Sequence, residues 1–314
     1  LNQGDNNLLI LFFNKLIIDF KGMTEYILSN EEMAQADQIT ITSGISSIQL
    51  MENAGKAVFK NLPTKNINRV LILAGPGNNG GDGFVVARLL IEIGTQVDIY
   101  FFSSKKISRD CQINKNRIDD RIIIDGITDF SQYAYVVDAL FGTGFTRRIP
   151  KVLENLFFKI KKNKIPVYAV DIPSGINSDN GIAYNYNVNA NLTLAIAYPK
   201  VGFFFNQGKK SIGNDIIIDI GLSHENIMTN QLYKFQYNDG LSLLHKVDEN
   251  TNKYNKGKSL LLVGSSKYAG AAILAGKSAF KSGSGILKIV TTGEIIKTLN
   301  TSLPEAIIYK QNDL

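Results

Sequence analysis

Three aspartates stand where apolar runs close: Asp82 in the loop AGPGNNGGDG, Asp138 in AYVVDAL, and Asp171 in PVYAVDI, with Pro173, Ser174 and Gly175 directly after it. A carboxyl group in a crevice can pass a proton to and from a reacting atom, or it can hold a cation. The loop carries Gly75, Gly77 and Gly80 at G-x-G-x-x-G spacing, between a strand-like run and a helical pattern. That spacing lets backbone N–H groups approach a phosphate at a helix N-terminus. Asn78, Asn79 and Asp82 interleave with the glycines, and a dinucleotide fingerprint needs none of the three. Their amides and carboxylate add oriented donors and acceptors. GTGFTRR, residues 142 to 148, brings two more glycines with Arg147 and Arg148. Those arginines either contact a phosphate or are solvated residues ahead of a helix opened by Pro150. Asn, Asp and Ser oxygens on neighbouring loops also suit a hard monovalent cation.

A parallel sheet is what would bring these loops together. RVLILAG, QVDIYFF, AYVVDAL, PVYAVDI, NLTLAIAY and NDIIIDIG are short, nearly continuous apolar runs, with helical patterns such as FVVARLLIEIG and PKVLENLFFKIKK between several of them. Such strands are covered on both faces, so the fold class is α/β, a doubly wound, mostly parallel sheet in three layers. The C-terminal ends of its strands share one edge, which delivers Asn79 and Asp82, Asp138, and Asp171 with Ser174 to one crevice. Two helices precede the first strand: one starts at a capping box formed by Ser29 and Glu32, and a second spans about 46 to 62. Asp98, the acidic residue at the distance a ribose contact requires, lies inside QVDIYFF and not at the ligand-binding edge.

Composition narrows the classes further. The chain has 314 residues, 44% hydrophobic and 20% charged, enough for two folded domains. Its net charge of +6 suits an anionic ligand, yet no helix-turn-helix, RNP-type or zinc-finger pattern supports nucleic-acid binding. One cysteine, Cys111, excludes an intramolecular disulfide and, with only His224 and His245, argues against a Cys/His zinc site. A reducing, cytoplasmic setting follows. The apolar stretch LLILFFNKLII at 8 to 18 is broken by Asn14 and Lys15 and is too short to span a bilayer. Residues 1–22, ahead of Met23, read as an extension with no part in the fold. Polar, Asn- and Lys-rich sequence at 238–258 reads as a linker between a first domain, 23–237, and a second, 259–314, which shows one further β-α-β unit.

GPGNNGGDG, VDALFGTG, DIPSGI, and AYPKVGFFF with DIIIDIG, in that order, resemble the NAD(P)H-hydrate epimerases, the YjeF N-terminal-type domain, from about Leu28 to Ser223. The resemblance implies a Rossmann-like fold and an isomerase of nicotinamide cofactor repair that interconverts the R and S epimers of hydrated NADH and NADPH (NADHX, NADPHX). It implies substrate contacts by Asn78, Asn79, Gly80, Gly81, Asp82 and Asp171, and by the loop Gly142, Thr143, Gly144, Phe145, Thr146, Arg147 and Arg148. It also implies one potassium ion per site, held by Asn79, Asp138 and Ser174, with a homodimer as a common assembly. Asp171 is then the acid–base residue, because desolvation in a crevice raises a carboxyl's affinity for its proton.

The tail, KGKSLLLVGSSKYAGAAILAGKSAFKSGSGILKIVTT with LPEAIIY, resembles the opening of the ADP- or ATP-dependent NAD(P)H-hydrate dehydratases, a ribokinase-like fold. The family's nucleotide-binding and catalytic motif lies farther downstream than Leu314. The expectation is a truncated second domain, with ADP or ATP used only by a complete one. Two other readings stay open at this stage. One is a nicotinamide-dependent dehydrogenase using Gly75, Gly77, Gly80 and Asp98. The other is a non-catalytic binding module of RNA metabolism on the same fold.

Overall fold

The chain enters through β1 (Glu25–Tyr26), α1 (Asn30–Thr42) and α2 (Ser47–Lys60) in a computed structural model that describes residues 25–104, 106–222, 232–234 and 251–311. Both halves of the expected capping box form: the Ser29 hydroxyl accepts from the Glu32 N–H, and the Glu32 carboxylate accepts from the Ser29 N–H at 2.8 Å. Ser46 caps α2 by accepting from the Gln49 N–H. Strands and helices then alternate as β2 (Arg69–Ala74), α3 (Asn78–Glu92), β3 (Gln96–Phe101), α4 (Arg109–Lys115), β4 (Ile123–Ile124) and β5 (Tyr135–Ala139). They continue as α5 (Lys151–Lys162), β6 (Val167–Val170), β7 (Leu192–Ile196), the single turn α6 (Gly208–Ser211), β8 (Asn214–Ile218) and β9 (Tyr233–Lys234), the last antiparallel to β1.

All six apolar runs become strands of one sheet, ordered β4-β3-β2-β5-β6-β7-β8 with every neighbouring pair parallel. β5 is buried along its whole length, without the alternation of a half-solvated strand. One face packs against Val58 of α2, Phe84 and Leu90 of α3 and Cys111 of α4; the other packs against Leu153, Leu156 and Phe157 of α5. These are the three layers read from the sequence. The strand order reverses between β2 and β5, so the crevice of a doubly wound sheet opens at their C-terminal ends.

By its internal contacts the chain divides into two units, Leu1–Asp239 and Gly240–Leu314. The expected extension 1–22, and residues 238–250 of the expected linker, fall outside the described residues. The second unit contains β10 (Lys258–Leu262), α7 (Ala269–Lys281), β11 (Ile286–Thr291), α8 (Ile296–Ser302) and β12 (Ile307–Lys310), with the strands parallel in that order. Its core is Ala272, Leu287, Ile289, Ile295, Leu299 and Leu303. One β-α-β unit was expected here; α8 and β12 extend it, and the four residues of β12 are too few for periodicity to have marked a strand. Among the described residues no helix is long and apolar enough to cross a membrane.

Candidate active site

The glycine loop is built by close backbone packing. The Gly75 N–H donates to the Ala139 carbonyl at 3.0 Å, folding the end of β2 over the end of β5. A Cβ on Gly75 would lie 1.8 Å from the Leu140 carbonyl oxygen, and one on Gly80 would lie 1.8 Å from the Gly75 carbonyl oxygen. A Cβ on Gly77 would meet nothing within 4 Å. Gly75 and Gly80 therefore let the chain pack on itself, while Gly77 leaves the N-terminus of α3 open. No side chain caps that helix end, so its first N–H groups face the cleft without intrahelical partners.

Asn78, Asn79, Asp82, Gly142, Thr143, Gly144, Phe145, Thr146, Arg147 and Asp171 line one cavity of about 700 Å³. Gly80, Gly81 and Arg148 do not. Gly80 is buried against Gly75, a Cβ on Gly81 would fall 2.4 Å from the Met51 sulfur, and Arg148 is exposed. At these three positions the structure shows a packing role for the two glycines and an exposed side chain for Arg148.

Beneath the cavity, Asp138 and Ser174 lock the β5 and β6 loops together. Asp138 is fully buried; Ser174 donates to it twice, from the backbone N–H at 2.8 Å and from the hydroxyl at 2.6 Å. The Ser174 hydroxyl accepts in turn from the Phe141 N–H at 3.0 Å. Burial pushes the Asp138 carboxyl up to about 6, against the lowering effect of the Ser174 and Leu140 hydrogen bonds. Nearby, the side-chain oxygen and nitrogen of Asn79 are both buried with no hydrogen-bond partner among the described residues. An orphaned amide oxygen beside the cleft is unusual, and a bound ion or water would satisfy it.

Asp171 follows β6 with φ +67°, and the Ile172 N–H donates across it to the Val170 carbonyl at 2.8 Å. Ala197, after the neighbouring β7, repeats this: φ is +60°, and the Tyr198 N–H donates to the Ile196 carbonyl at 2.7 Å. These are γ-turns of the rarer, strained hand, a conformation costing roughly 1–3 kcal/mol per residue and concentrated at functional sites. Lys200 ties them together. Fully buried, it donates from Nζ to the Asp171 carboxylate and, at 2.8 Å, to the Ile196 carbonyl, while the Ile196 N–H donates to the same Asp171 oxygen at 3.0 Å.

Two charged residues of the site escaped the sequence reading. Lys200 stands in AYPKVGFFF, where it looked like any other surface lysine, since nothing in a single sequence marks a lysine as buried. Asp37 lies on α1, where it lines the cavity and stays open to solvent on one side. Its carboxyl is pushed up to about 6, by desolvation first and by the charge of Asp171 second, with Lys200 opposing. Asp82 is pushed well above its ordinary value by burial, then by Asp171 and Asp37. Asp171 is itself buried, with a lysine ammonium against it.

The shift at Asp82 makes a stability prediction. The folded carboxyl holds its proton more tightly than the unfolded one, so this contribution is fully present below about 3.8 and is lost as pH rises toward the folded value. Asp82→Asn should therefore raise the thermal midpoint at pH 7, by roughly 2–4 °C per kcal/mol for a domain of this size, and raise it less at pH 4. Melting curves at the two pH values check it; a variant less stable at pH 7 than the parent contradicts it.

Asp98 takes no part in the crevice. It accepts from Arg69 at 2.9 and 3.0 Å and from the Tyr133 hydroxyl at 2.6 Å, and Arg69 opens β2, at the opposite edge of the sheet from the glycine loop. A ribose contact by Asp98, on which the dehydrogenase reading depended, is not available in this geometry.

Comparison with known proteins agrees with this architecture. The family model for the YjeF-related protein N-terminus matches residues 47–202, and the model for NAD(P)H-hydrate dehydratase matches residues 259–313. The NAD(P)H-hydrate epimerase of Weissella koreensis is 36% identical over 210 residues, 64% of this chain and 93% of that protein. The corresponding Lentilactobacillus buchneri protein is 36% identical over 208 residues, with 64% and 97% covered. The bifunctional NAD(P)H-hydrate repair enzyme of Dictyoglomus turgidum is 31% identical over 302 residues, 91% of this chain but 59% of that enzyme. The chain thus spans nearly the full length of these epimerases and about three-fifths of the bifunctional relative. The crystal structure of yeast ynu0 has the same fold, with a TM-score of 0.51 at 22% identity over 61% of this chain and 87% of that one.

Proposed function

The chain belongs to the NAD(P)H-hydrate epimerase family, and from that premise we propose that it interconverts the R and S epimers of hydrated NADH and NADPH at the ring carbon bearing the hydroxyl. The observation that carries the proposal is the meeting of Asn79, Asp82 and Asp171 around one cavity at the reversal of strand order. The open N-terminus of α3 suits the pyrophosphate, and Arg147 on the cavity wall offers a further cation. Phe141 and Phe145, stacked with centroids 4.5 Å apart, supply an apolar wall. Epimerisation needs the hydroxyl to leave and water to return on the other face, so a group must give a proton and take one back; Asp171 is assigned to that exchange.

The donor set fits a potassium ion. Asn79 has a buried amide oxygen without a hydrogen-bond partner among the described residues, and Asp138 and Ser174 add oxygens that bond mainly to each other. Neutral amide and hydroxyl oxygens with a single carboxylate suit a monovalent ion better than a divalent one. Held there, the ion would supply a fixed positive charge beside the cleft. Residues 259–313 are read as the opening of a dehydratase domain, and ADP or ATP would serve only a complete domain of that kind. A cytoplasmic setting and a homodimer belong to the same reading.

The test starts from one purified epimer of NADPHX without any nucleoside phosphate. Chromatographic separation should show the mixture reaching its equilibrium ratio faster with protein than in buffer; equal rates overturn the proposal. Exchanging potassium for a bulky organic cation should lower the rate. It should also abolish a rise of the thermal midpoint with potassium, a stabilisation of about 2.7 kcal/mol at 100 times Kd. A rate and a midpoint that both ignore potassium would remove the ion from the site.

A further inference from the structure

We infer that Asp37 is a second catalytic residue of this site, an acid–base group that faces the substrate from α1 and works in concert with Asp171. The inference rests on the epimerase reading and adds to it a residue that the glycine loop and strand ends do not contain.

The helix presents two stripes. Ala36 and Thr40 are buried, while Asn30, Met33, Ala34, Asp37 and Ile41, spaced at i, i+3, i+4, i+7 and i+11, line the cavity. Of that second stripe only Asp37 ionises, and among the described residues nothing donates a hydrogen bond to its carboxyl. The charge of Asp171 raises both Asp37 and Asp82, the charge of Asp37 raises Asp82 further, and Lys200 opposes both shifts. Three carboxyls against Lys200, with Arg147 also on the cavity wall, still outnumber the cations, which favours keeping a proton among them. The orphaned Asn79 side chain opens on the same cavity. The helix is also held to the loop that follows Asp171: the Asn30 N–H donates to the Asp179 carboxylate at 2.7 Å, alongside the Ser29 capping box. Asp37 is therefore fixed relative to the β6 end and not carried on a free segment.

The chemistry asks for such a second group. In one direction, protonated Asp37 gives its proton to the hydroxyl. The C–O bond breaks as the ring nitrogen's lone pair forms a C=N bond, and water departs. Water then adds to the opposite face; the C=N π pair returns to nitrogen as the new C–O bond forms, and the surplus proton goes to the Asp171 carboxylate. The reverse direction exchanges the two roles, so one proton enters and one leaves and no co-reactant is consumed.

The experiment compares the full chain with Asp37→Asn and Asp37→Glu, each followed from either epimer across pH 5 to 9. Asp37→Asn should lower kcat by about 100-fold or more, with KM little changed, and Asp37→Glu should recover part of the loss. Because the pair works while it holds one proton, the parent's kcat should fall as pH rises past about 6, in both directions; Asp37→Asn should lose that limb. Of the other charged groups around the cavity, Asp82, Asp110, Arg147, Asp171 and Lys200, Asp82 is itself raised by the charge of Asp37, so the limb is followed in Asp82→Asn as well: it should persist there, and a limb that vanishes with Asp82 overturns the inference. A parent active on the epimers with an Asp37→Asn variant of equal kcat, or one that keeps the limb, overturns this inference and leaves the epimerase reading intact. A parent with no activity overturns both.

Discussion

Asp171→Asn should slow epimer interconversion by about 100- to 10,000-fold, the usual contribution of a positioned acid–base group, and should destabilise the fold as well. The two effects have different causes and can be separated. Asparagine tolerates the positive φ of 67° at this position nearly as well as aspartate, so the γ-turn survives the change where alanine would strain it. The charge does not survive. Lys200 is fully buried, with its ammonium against Asp171 and the Ile196 carbonyl, and breaking such a pair from one side costs about 3–5 kcal/mol because an uncompensated charge stays buried. Set against a total stability of about 5–15 kcal/mol, that loss alone would reduce the activity of a preparation. The double variant Asp171→Asn/Lys200→Met distinguishes the causes, since replacing both partners of a buried pair is often neutral. It should melt near the parent temperature and remain as slow as the single variant. Recovery of the rate along with the stability would mean that Asp171 acts through folding and carries no proton.

How far the sequence reveals the site depends on how local each signal is. Asp138 and Asp171 are legible because each closes an apolar run, and parallel strands put such positions on one edge whatever lies between them. The capping box that begins α1 is equally local, needing only Ser29 and Glu32. Lys200 and Asp37 are not local in this sense. Their roles depend on contacts across 29 residues between Lys200 and Asp171, and between a leading helix and the distant β6 end. Periodicity places both on solvated faces; Asp37 is indeed exposed, and only the assembled geometry shows that it borders the cleft and that Lys200 is buried. The fully buried ion pair is itself an exception to the rule that sorts charged residues outward, and such exceptions gather where function requires them.

The glycines offer the second large effect, and they divide the fingerprint into two jobs. Gly75→Ala should destabilise the first unit by about 3–5 kcal/mol or prevent folding, at the severe end for an overpacked site. The added Cβ would stand 1.8 Å from the Leu140 carbonyl oxygen, which belongs to backbone held by the junction of β2 and β5 and cannot swing aside as a side-chain tip would. Gly80→Ala should behave alike, its Cβ being 1.8 Å from the Gly75 carbonyl oxygen. Gly77→Ala should fold normally, because its φ of −90° suits any residue and its Cβ meets no protein atom within 4 Å. What that methyl group would meet is the ligand, at the helix end where a phosphate approaches closest. Gly77→Ala should therefore keep the parent's melting temperature and raise KM for the hydrate, whereas Gly75→Ala should show its defect in the melt before any substrate is added. If Gly77→Ala instead matched the parent in KM, the pyrophosphate would have to bind elsewhere in the cavity, and the loop's spacing would be a consequence of packing alone.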